Sequence, residues 1–267
     1  MNCIFCKKNS DDSKSVEHII PQSLGNNNHT LDKGIVCDAC NNYFSTKIEK
    51  EVLDLPYFRS LRYRNYIPNK KKKIPNEIGF FGNLKHGKVE ILESEGKTLK
   101  IVVEKKEIFE KILSGEFTNF KIPIQNRPPK KHLLLSRLLG KIALEAWAQK
   151  IKKVDNWNIE LVNDKGLDNL REYVRYGKGE YWEYHTRKVY EETDMFTSQK
   201  EEKSYQILNE YDFIYYEEKY LIFICIILGI EYAILLNDQD ISIYEKWLKE
   251  NNDKSPLDTD EDKKLNQ

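Results

Sequence analysis

The chain has 267 residues, with 43 Lys and Arg against 43 Asp and Glu, so its formal net charge at pH 7 is zero. This balance excludes a polycation that binds nucleic acid over its whole surface, and any such affinity must come from local patches. Hydrophobic residues make up 40% of the chain, with sixteen Tyr and eleven Phe, which favours a folded core over disorder. The length suits one large domain, or a small module followed by a second domain.

Four of the five cysteines form two Cys-x-x-Cys pairs near the start of the chain. Cys3 with Cys6, and Cys37 with Cys40, bracket a single intervening segment. Paired thiolates at this spacing are the donor set of a closed, tetrahedral zinc site. The N-terminus is too polar for a signal peptide, and free thiols at zinc spacing suit a reducing compartment. We therefore expect a cytoplasmic zinc protein and no disulfide framework.

Between the two cysteine pairs, the pattern predicts a strand, a loop, a strand and a helix. The first strand is predicted over 16–20, and Pro21 with the polar stretch 22–30 then breaks the pattern. The second strand is predicted at 35–36, directly before the second cysteine pair. A helix is predicted over 41–53, with Asn41 on its first turn.

A specific order of residue types lies inside this bracket, and it carries a resemblance to a known family. The segment reads Glu17-His18-Ile19-Ile20-Pro21, followed by Gly25 and later by Asn41 directly after the last cysteine. This order resembles the HNH endonuclease family, in the form whose ββα-metal motif is stapled by a four-cysteine zinc. The resemblance covers roughly the first fifty residues and predicts an N-terminal HNH module over 1–56.

The resemblance implies roles for three residues of the bracket. His18 would be the general base that takes a proton from the attacking water, a task suited to an imidazole. Glu17 and Asn41 would give oxygen ligands to a catalytic divalent ion, and oxygen ligands favour Mg²⁺ or Mn²⁺. The zinc, closed by four thiolates, would be structural.

The sequence departs from the family pattern at two positions. The middle Asn of the motif, which pins the loop, falls on Asp32, and Asn28 or His29 could substitute for it. The last His of the motif is Asn41, which bears on metal preference more than on activity. His29 is also a candidate phosphate contact, although a histidine on a polar loop is more often simply exposed.

A basic, aromatic segment over 57–78 is predicted to be a linker. Arg59, Arg62 and Arg64 are interleaved with aromatic residues, a composition that can follow phosphates and stack on bases. These three arginines are therefore candidate nucleic-acid contacts. The lysine run 70–73 is better explained as a solvated tether.

The segment 79–250 is predicted to be a larger mixed α+β domain, followed by a disordered tail over 251–267. A double proline precedes a helix predicted over 130–152 with its apolar residues mostly on one side. The apolar run 220–236 is better explained as a hairpin of two buried strands around Gly229 than as a membrane span, because Glu231 interrupts it. Strands are predicted over 80–84, 88–92, 99–103, 182–190, 205–210 and 212–216, and further helices over 105–113, 167–176 and 241–249.

These features predict a metal-dependent HNH endonuclease that hydrolyses phosphodiester bonds in DNA, with RNA left open as a substrate. The resemblance also suggests a bacterial restriction or anti-phage defence effector. The alternative is a zinc-stabilised nucleic-acid-binding subunit that is inactive or needs a partner protein, bound through the C-terminal domain. That domain would recognise substrate, partner or trigger. No membrane association is expected, and cutting both strands of a duplex would call for a homodimer.

Overall fold

The structure is a computed structural model, and it describes all residues except 70, 82–87, 95–97, 104, 199–203, 258–261 and 265–267. For 88–94, 98–99, 198 and 262–264 only the backbone is described. Helices and strands are both present, so the predicted mixed α+β class is confirmed. The chain forms a larger unit, Met1–Val52 with Pro129–Gln267, and a smaller unit, Leu53–Pro128. The predicted boundaries at 56 and 79 do not coincide with this division.

The N-terminal segment of the larger unit contains a two-stranded sheet. β1 (Glu17–His18) pairs antiparallel with β2 (Thr30–Leu31). The second strand predicted at 35–36 is wrong. Ile35 and Val36 are buried, but the Ile35 N–H donates to the Asp32 carbonyl in a turn, and the Ile35 carbonyl accepts from Ile4. Their apolar side chains fill the core without forming a strand.

The helix after β2 is longer than predicted. α1 (Asp38–Phe44) continues through a π-helical turn (Ser45–Glu49) into α2 (Lys50–Leu53). The predicted start at 41 is too late, because Cys37 caps the helix and its Sγ accepts from the Cys40 N–H at 3.4 Å. The second cysteine pair therefore spans the N-cap and the first turn.

The smaller unit begins with a helix where a linker was predicted. α3 (Pro56–Arg64) is followed by four strands, β3 (Glu77–Phe81), β4 (Lys88–Ser94), β5 (Thr98–Val102) and β6 (Phe120–Lys121). They form an antiparallel sheet in the order β5-β4-β3-β6. Ser60 of α3 donates to the buried carboxylate of Glu77, which ties the helix to the sheet. The strands and helix predicted over 88–92, 99–103 and 105–113 are confirmed, and the strand predicted over 80–84 extends outside the described residues. The helix between β5 and β6 is α4 (Lys106–Leu113).

The C-terminal segment of the larger unit starts with three helices and continues with two antiparallel sheets. The elements are α5 (Leu133–Ile151), α6 (Trp157–Asn163), α7 (Asp168–Tyr176), β7 (His185–Lys188), β8 (Phe196–Ser198), β9 (Ser204–Tyr205), β10 (Asn209–Tyr216), β11 (Tyr220–Ile227), β12 (Ile230–Leu235), α8 (Ser242–Glu250) and β13 (Asp262–Lys264). One sheet has the order β10-β11-β12-β7 and the other β13-β8-β9. The tail predicted to be disordered contains β13, because its backbone pairs with β8.

The hairpin predicted around Gly229 is confirmed. β11 and β12 pair antiparallel, with Ile227 opposite Ile230. Leu228 and Gly229 both have positive φ, at 49° and 81°, as a two-residue type I′ turn requires. A Cβ at Gly229 would lie 2.2 Å from the Tyr190 carbonyl oxygen, so glycine is needed there. In the described part of the chain, no helix is long and apolar enough to cross a membrane.

Helix α5 lies at the centre of the larger unit. It contacts the π-helical turn, α6, α7 and β12. The predicted one-sided apolar face is wrong, because the helix is buried on all sides over 135–146. Gly140 allows α7 to approach closely, since a Cβ there would lie 2.6 Å from Val174 Cγ2. Two charged residues, Lys141 and Glu145, are fully buried on this helix.

Candidate active site

The four cysteines predicted to bind metal come together in one cluster. The Sγ atoms of Cys3, Cys6, Cys37 and Cys40 all lie within 4.8 Å of one another, and those of Cys6 and Cys37 are 3.6 Å apart. A tetrahedral ion with Zn–S bonds of about 2.3 Å needs sulfurs about 3.8 Å apart. The first knuckle turns at Lys7, whose φ is 60° and whose N–H donates to the Cys3 carbonyl at 2.9 Å. Both the donor set and the spacing fit a four-thiolate metal site.

Hydrogen bonds within the cluster and burial shift the pKa values of its thiols. A hydrogen bond from the Cys40 thiol lowers the pKa of Cys3 to about 5, whereas burial raises the pKa of Cys6 to about 11. The Arg175 Nε donates to the Cys40 Sγ at 3.2 Å, and its guanidinium lies 4.0 Å from the centre of the Tyr43 ring. A cation from α7 therefore faces the sulfur cluster directly.

Two further contacts join the first knuckle to the C-terminal helices. Arg171 of α7 is 2% exposed, and its Nε donates to the Ile4 carbonyl at 2.9 Å. Asn158 of α6 exchanges two hydrogen bonds with the backbone of Asn2, at 2.8 and 3.0 Å. Residues of α6 and α7 thus hold the first cysteine pair in place. The sequence around that pair does not reveal these contacts.

Glu17 lies in a buried charge cluster that we call the Lys141 cluster. It consists of Lys141, Glu17, Glu49 and Glu145. The Lys141 Nζ is 2.6 Å from Glu17 Oε1, 2.9 Å from Glu49 Oε1 and 3.1 Å from Glu145 Oε2. It also donates to the His18 carbonyl at 3.4 Å. All described contacts of the Glu17 carboxylate involve Oε1, so Oε2 has no protein partner among the described residues.

The charges of this cluster are set by burial and by each other. Burial alone would lower the pKa of Lys141, but the carboxylates of Glu145, Glu49 and Glu17 outweigh it and raise the pKa well above its usual range. Burial raises the pKa of Glu145 well above its usual range. Lys141 is therefore charged at neutral pH, whereas burial disfavours the ionised form of Glu145.

His18 is half-buried on β1. Its ring Nδ1 is buried and has no hydrogen-bond partner among the described residues. A buried ring nitrogen without a partner is uncommon and calls for an explanation, and a catalytic role is one of the recognised explanations. Successive residues on a strand point to opposite faces, so the His18 ring and the Glu17 carboxylate leave β1 in different directions.

Asn41 lies on α1 and faces solvent in an open depression. The depression is lined by Lys14, Ser15, Asp38, Asn41, Asn42 and Ser45. The Asp38 carboxylate accepts hydrogen bonds from the backbone of Lys14 and Ser15 at 3.0–3.2 Å, which fixes the approach to β1 against the helix start. Glu17 and His18 do not line the depression, although all residues of this region are described. The structure thus brings Glu17 to Lys141 and places Asn41 in a depression that Glu17 does not line.

The loop between β1 and β2 is pinned by a residue that the sequence did not single out. Asn26 is 1% exposed. Its Nδ2 donates to the carbonyls of Ile20 and His29 at 2.7 and 2.9 Å, and its Oδ1 accepts from the N–H groups of Asn28 and His29 at 3.0 and 2.9 Å. Asp32, the position expected from the family order, has an exposed side chain that pairs with Lys152 at 3.6 Å. The run of three asparagines contained the pinning residue, at its first position.

The proposed nucleic-acid contacts differ in accessibility. Arg62 is 5% exposed, which gives its side chain little access to a phosphate. Arg59 and Arg64 of α3 are half-buried. His29 is half-buried, packs edge-on against the Tyr211 ring with centroids 5.0 Å apart, and has its pKa lowered by burial.

Comparison with known proteins gives one match, and it falls on the N-terminal segment. The family model described as HNH endonuclease matches residues 3–54, so the resemblance drawn from the motif is confirmed for that segment. It spans both cysteine pairs, β1 and the helix with its π-helical turn, and it indicates a nuclease. No curated protein and no solved structure matches the chain.

Proposed function

We propose that the protein is a metal-dependent endonuclease that hydrolyses phosphodiester bonds in DNA. One observation carries the proposal: the four-cysteine cluster forms within the same residues that match the HNH endonuclease family, and it encloses the strand that bears Glu17 and His18. A nucleic-acid-binding module alone does not need a carboxylate and an imidazole side by side on that strand.

The zinc is assigned a structural role. Four thiolates close the coordination shell, so no position is left for water or substrate. Bound zinc would hold the first knuckle to the start of α1. That contact, together with the Asp38 hydrogen bonds, fixes where β1 lies relative to the helix.

The His18 imidazole is proposed to accept the proton of the attacking water, a task for which imidazole is the most suitable side chain near neutral pH. Its buried Nδ1 has no protein partner among the described residues. Glu17 Oε2 and the Asn41 side-chain oxygen are the proposed donors to a divalent cation. These are hard oxygen donors of the kind that Mg²⁺ and Mn²⁺ prefer. When bound, such a cation stabilises negative charge on the phosphate and the leaving oxygen.

A second candidate function is supported by the geometry around Glu17. The carboxylate is paired with Lys141, and Asn41 lines a depression to which Glu17 does not contribute. A zinc-stabilised nucleic-acid-binding subunit, inactive alone or dependent on a partner protein, would have such an arrangement.

The test is cleavage of supercoiled plasmid by zinc-loaded protein after removal of other metals and addition of Mg²⁺ or Mn²⁺. His18→Asn is compared with wild type and with His132→Asn. His132 lies outside the site as the N-cap of α5, and Asn is also a good N-cap. We expect open-circle or linear product from wild type and His132→Asn, and a loss of about 10²-fold or more for His18→Asn.

The same protein offered single-stranded RNA tests whether DNA is the preferred substrate. If all three proteins are folded, zinc-loaded and inert on both substrates, the proposal of an autonomous nuclease is wrong, and the second candidate function is favoured.

A further inference from the structure

A lysine outside the matched segment contacts the proposed catalytic strand. Lys141 lies on α5, well beyond residues 3–54, and its side chain is completely buried. Its ammonium contacts the Glu17 carboxylate and the His18 backbone carbonyl, at 2.6 and 3.4 Å. It therefore touches both residues that the proposed chemistry needs from β1.

The Lys141 cluster is not what core packing alone would select. Taking charges out of water costs several kcal/mol per ion, and well-packed apolar residues in place of a buried ion pair are often equally or more stable. The three carboxylates come from three elements: Glu17 from β1, Glu49 from the π-helical turn, and Glu145 from α5. Glu145 Oε1 is buried without a hydrogen-bond partner in the described part of the chain, and Oε2 lies 3.1 Å from the Lys141 Nζ. π-helical turns are frequent at functional sites.

We propose that Lys141 is a positioning residue for Glu17. Its ammonium binds Oε1 and so leaves Oε2 as the oxygen presented to the divalent cation. Glu49 and Glu145 bind the same ammonium from two helices, which fixes its place. This inference rests on the proposed function, and it means that helix α5 completes the site.

An opposite role would be a lock, in which Lys141 masks Glu17 until a partner pulls α5 away. The contacts favour positioning. A movable lock needs a weakly held cation, whereas Lys141 has three carboxylates around it and no exposed surface. The two roles predict opposite effects of removing the ammonium: weaker cation binding for positioning, and tighter binding for a lock.

The test uses the variant Lys141→Met/Glu49→Gln, which removes one cation and one anion together and so leaves the net charge of the cluster unchanged. Lys150→Met is the matched control, since Lys150 lies on the same helix and pairs with Asp212 at the surface. Binding of Mn²⁺ to the zinc-loaded full-length proteins is measured from the electron paramagnetic resonance signal of the free ion. Glu17→Gln identifies the Mn²⁺ site that depends on Glu17.

We expect the double variant to bind Mn²⁺ at least about tenfold more weakly than wild type, the usual effect of losing a group that orients a metal ligand. In plasmid cleavage, the half-saturating Mn²⁺ concentration should rise by a similar factor, with a smaller change in the rate at saturating Mn²⁺. Lys150→Met should leave both values unchanged. If the double variant loses its zinc, Glu49→Gln alone replaces it, with an expected weakening of about threefold or more.

Unchanged or tighter Mn²⁺ binding would overturn the positioning role, and tighter binding would indicate the lock. The absence of any Mn²⁺ site sensitive to Glu17→Gln would also overturn it. If wild type binds Mn²⁺ through Glu17 but cleaves no nucleic acid, the proposed function fails. The role of Lys141 is then decided by the Mn²⁺ affinities of the wild type and the variants alone.

Discussion

Replacing Arg171 with Met is expected to destabilise the larger unit markedly. The guanidinium is 2% exposed, and it donates to the carbonyls of Ile4 and Asp164 at 2.9 and 2.7 Å and also to that of Leu161. It further donates to the Asp168 carboxylate at 2.8 Å. A methionine fills much of the same space but donates no hydrogen bond, so three backbone carbonyls lose a donor.

The magnitude follows from these contacts. A hydrogen bond to a charged donor contributes roughly 1.5–3 kcal/mol. The Leu161 and Asp164 carbonyls still accept from the N–H groups of Asp164 and Leu167, and part of the loss is offset because a buried guanidinium no longer needs to be desolvated. Asp168 keeps a partner, since Lys7 Nζ lies 2.5 Å from its carboxylate. We therefore expect the free energy of unfolding to fall by about 3 kcal/mol. With a urea dependence of about 3 kcal/mol/M, the unfolding midpoint should fall by about 1 M.

Tryptophan fluorescence in a urea titration measures this change in the larger unit. All four tryptophans lie in its C-terminal segment, at Trp147, Trp157, Trp182 and Trp247. The control is Arg127→Met, at an exposed position of the smaller unit, where a change within about 0.5 kcal/mol is expected. An Arg171→Met midpoint within about 0.3 M of wild type would refute the reasoning that this guanidinium joins the first knuckle to the helices.

Three further predictions concern the metal cluster, the loop and the helix packing. Cys40→Ser should lower the zinc content measured by mass spectrometry well below that of wild type. In both proteins zinc retention should decrease as the pH is lowered, because the cysteine thiols must be deprotonated to bind the metal. Asn26→Asp removes two N–H donors to buried carbonyls and should cost about 2–4 kcal/mol in urea unfolding; a stability equal to wild type would contradict the pinning role. Gly140→Ala forces a methyl group against Val174 and should cost about 1–3 kcal/mol, against a smaller effect for Gly166→Ala, where a Cβ meets only one carboxylate oxygen at 3.1 Å.

Short-range chemistry made the metal cluster and the hairpin predictable from the sequence. Two Cys-x-x-Cys pairs define a four-thiolate site almost without reference to the rest of the fold. The hairpin was predictable because Gly229 lies between two apolar runs, and a glycine with positive φ is what a two-residue turn needs. Both features depend on residues that are close in the sequence or chemically unusual.

The partners of Glu17 were not predictable, because they depend on long-range packing. In the sequence, Lys141 and Glu145 are charged positions on a helix that otherwise shows an apolar face, and such residues usually lie on the solvent side. Only the position of α5 between the N-terminal segment and the sheet buries them. The role of Asn26 was not predictable for the same reason, because its four hydrogen bonds form only once the loop has folded back on β1.

The segment that matches the family carries two negative centres, and each meets a cation from the C-terminal segment. A zinc ion with four thiolates has a net charge of −2, and Arg175 of α7 donates to one of those sulfurs. The Glu17 carboxylate meets Lys141 of α5. Because charge–charge attraction in a buried site is much stronger than in water, removing either helix would expose or leave unbalanced the group on which the proposed chemistry depends. The active unit is therefore expected to comprise the N-terminal segment together with α5 and α7, although the family match ends at residue 54.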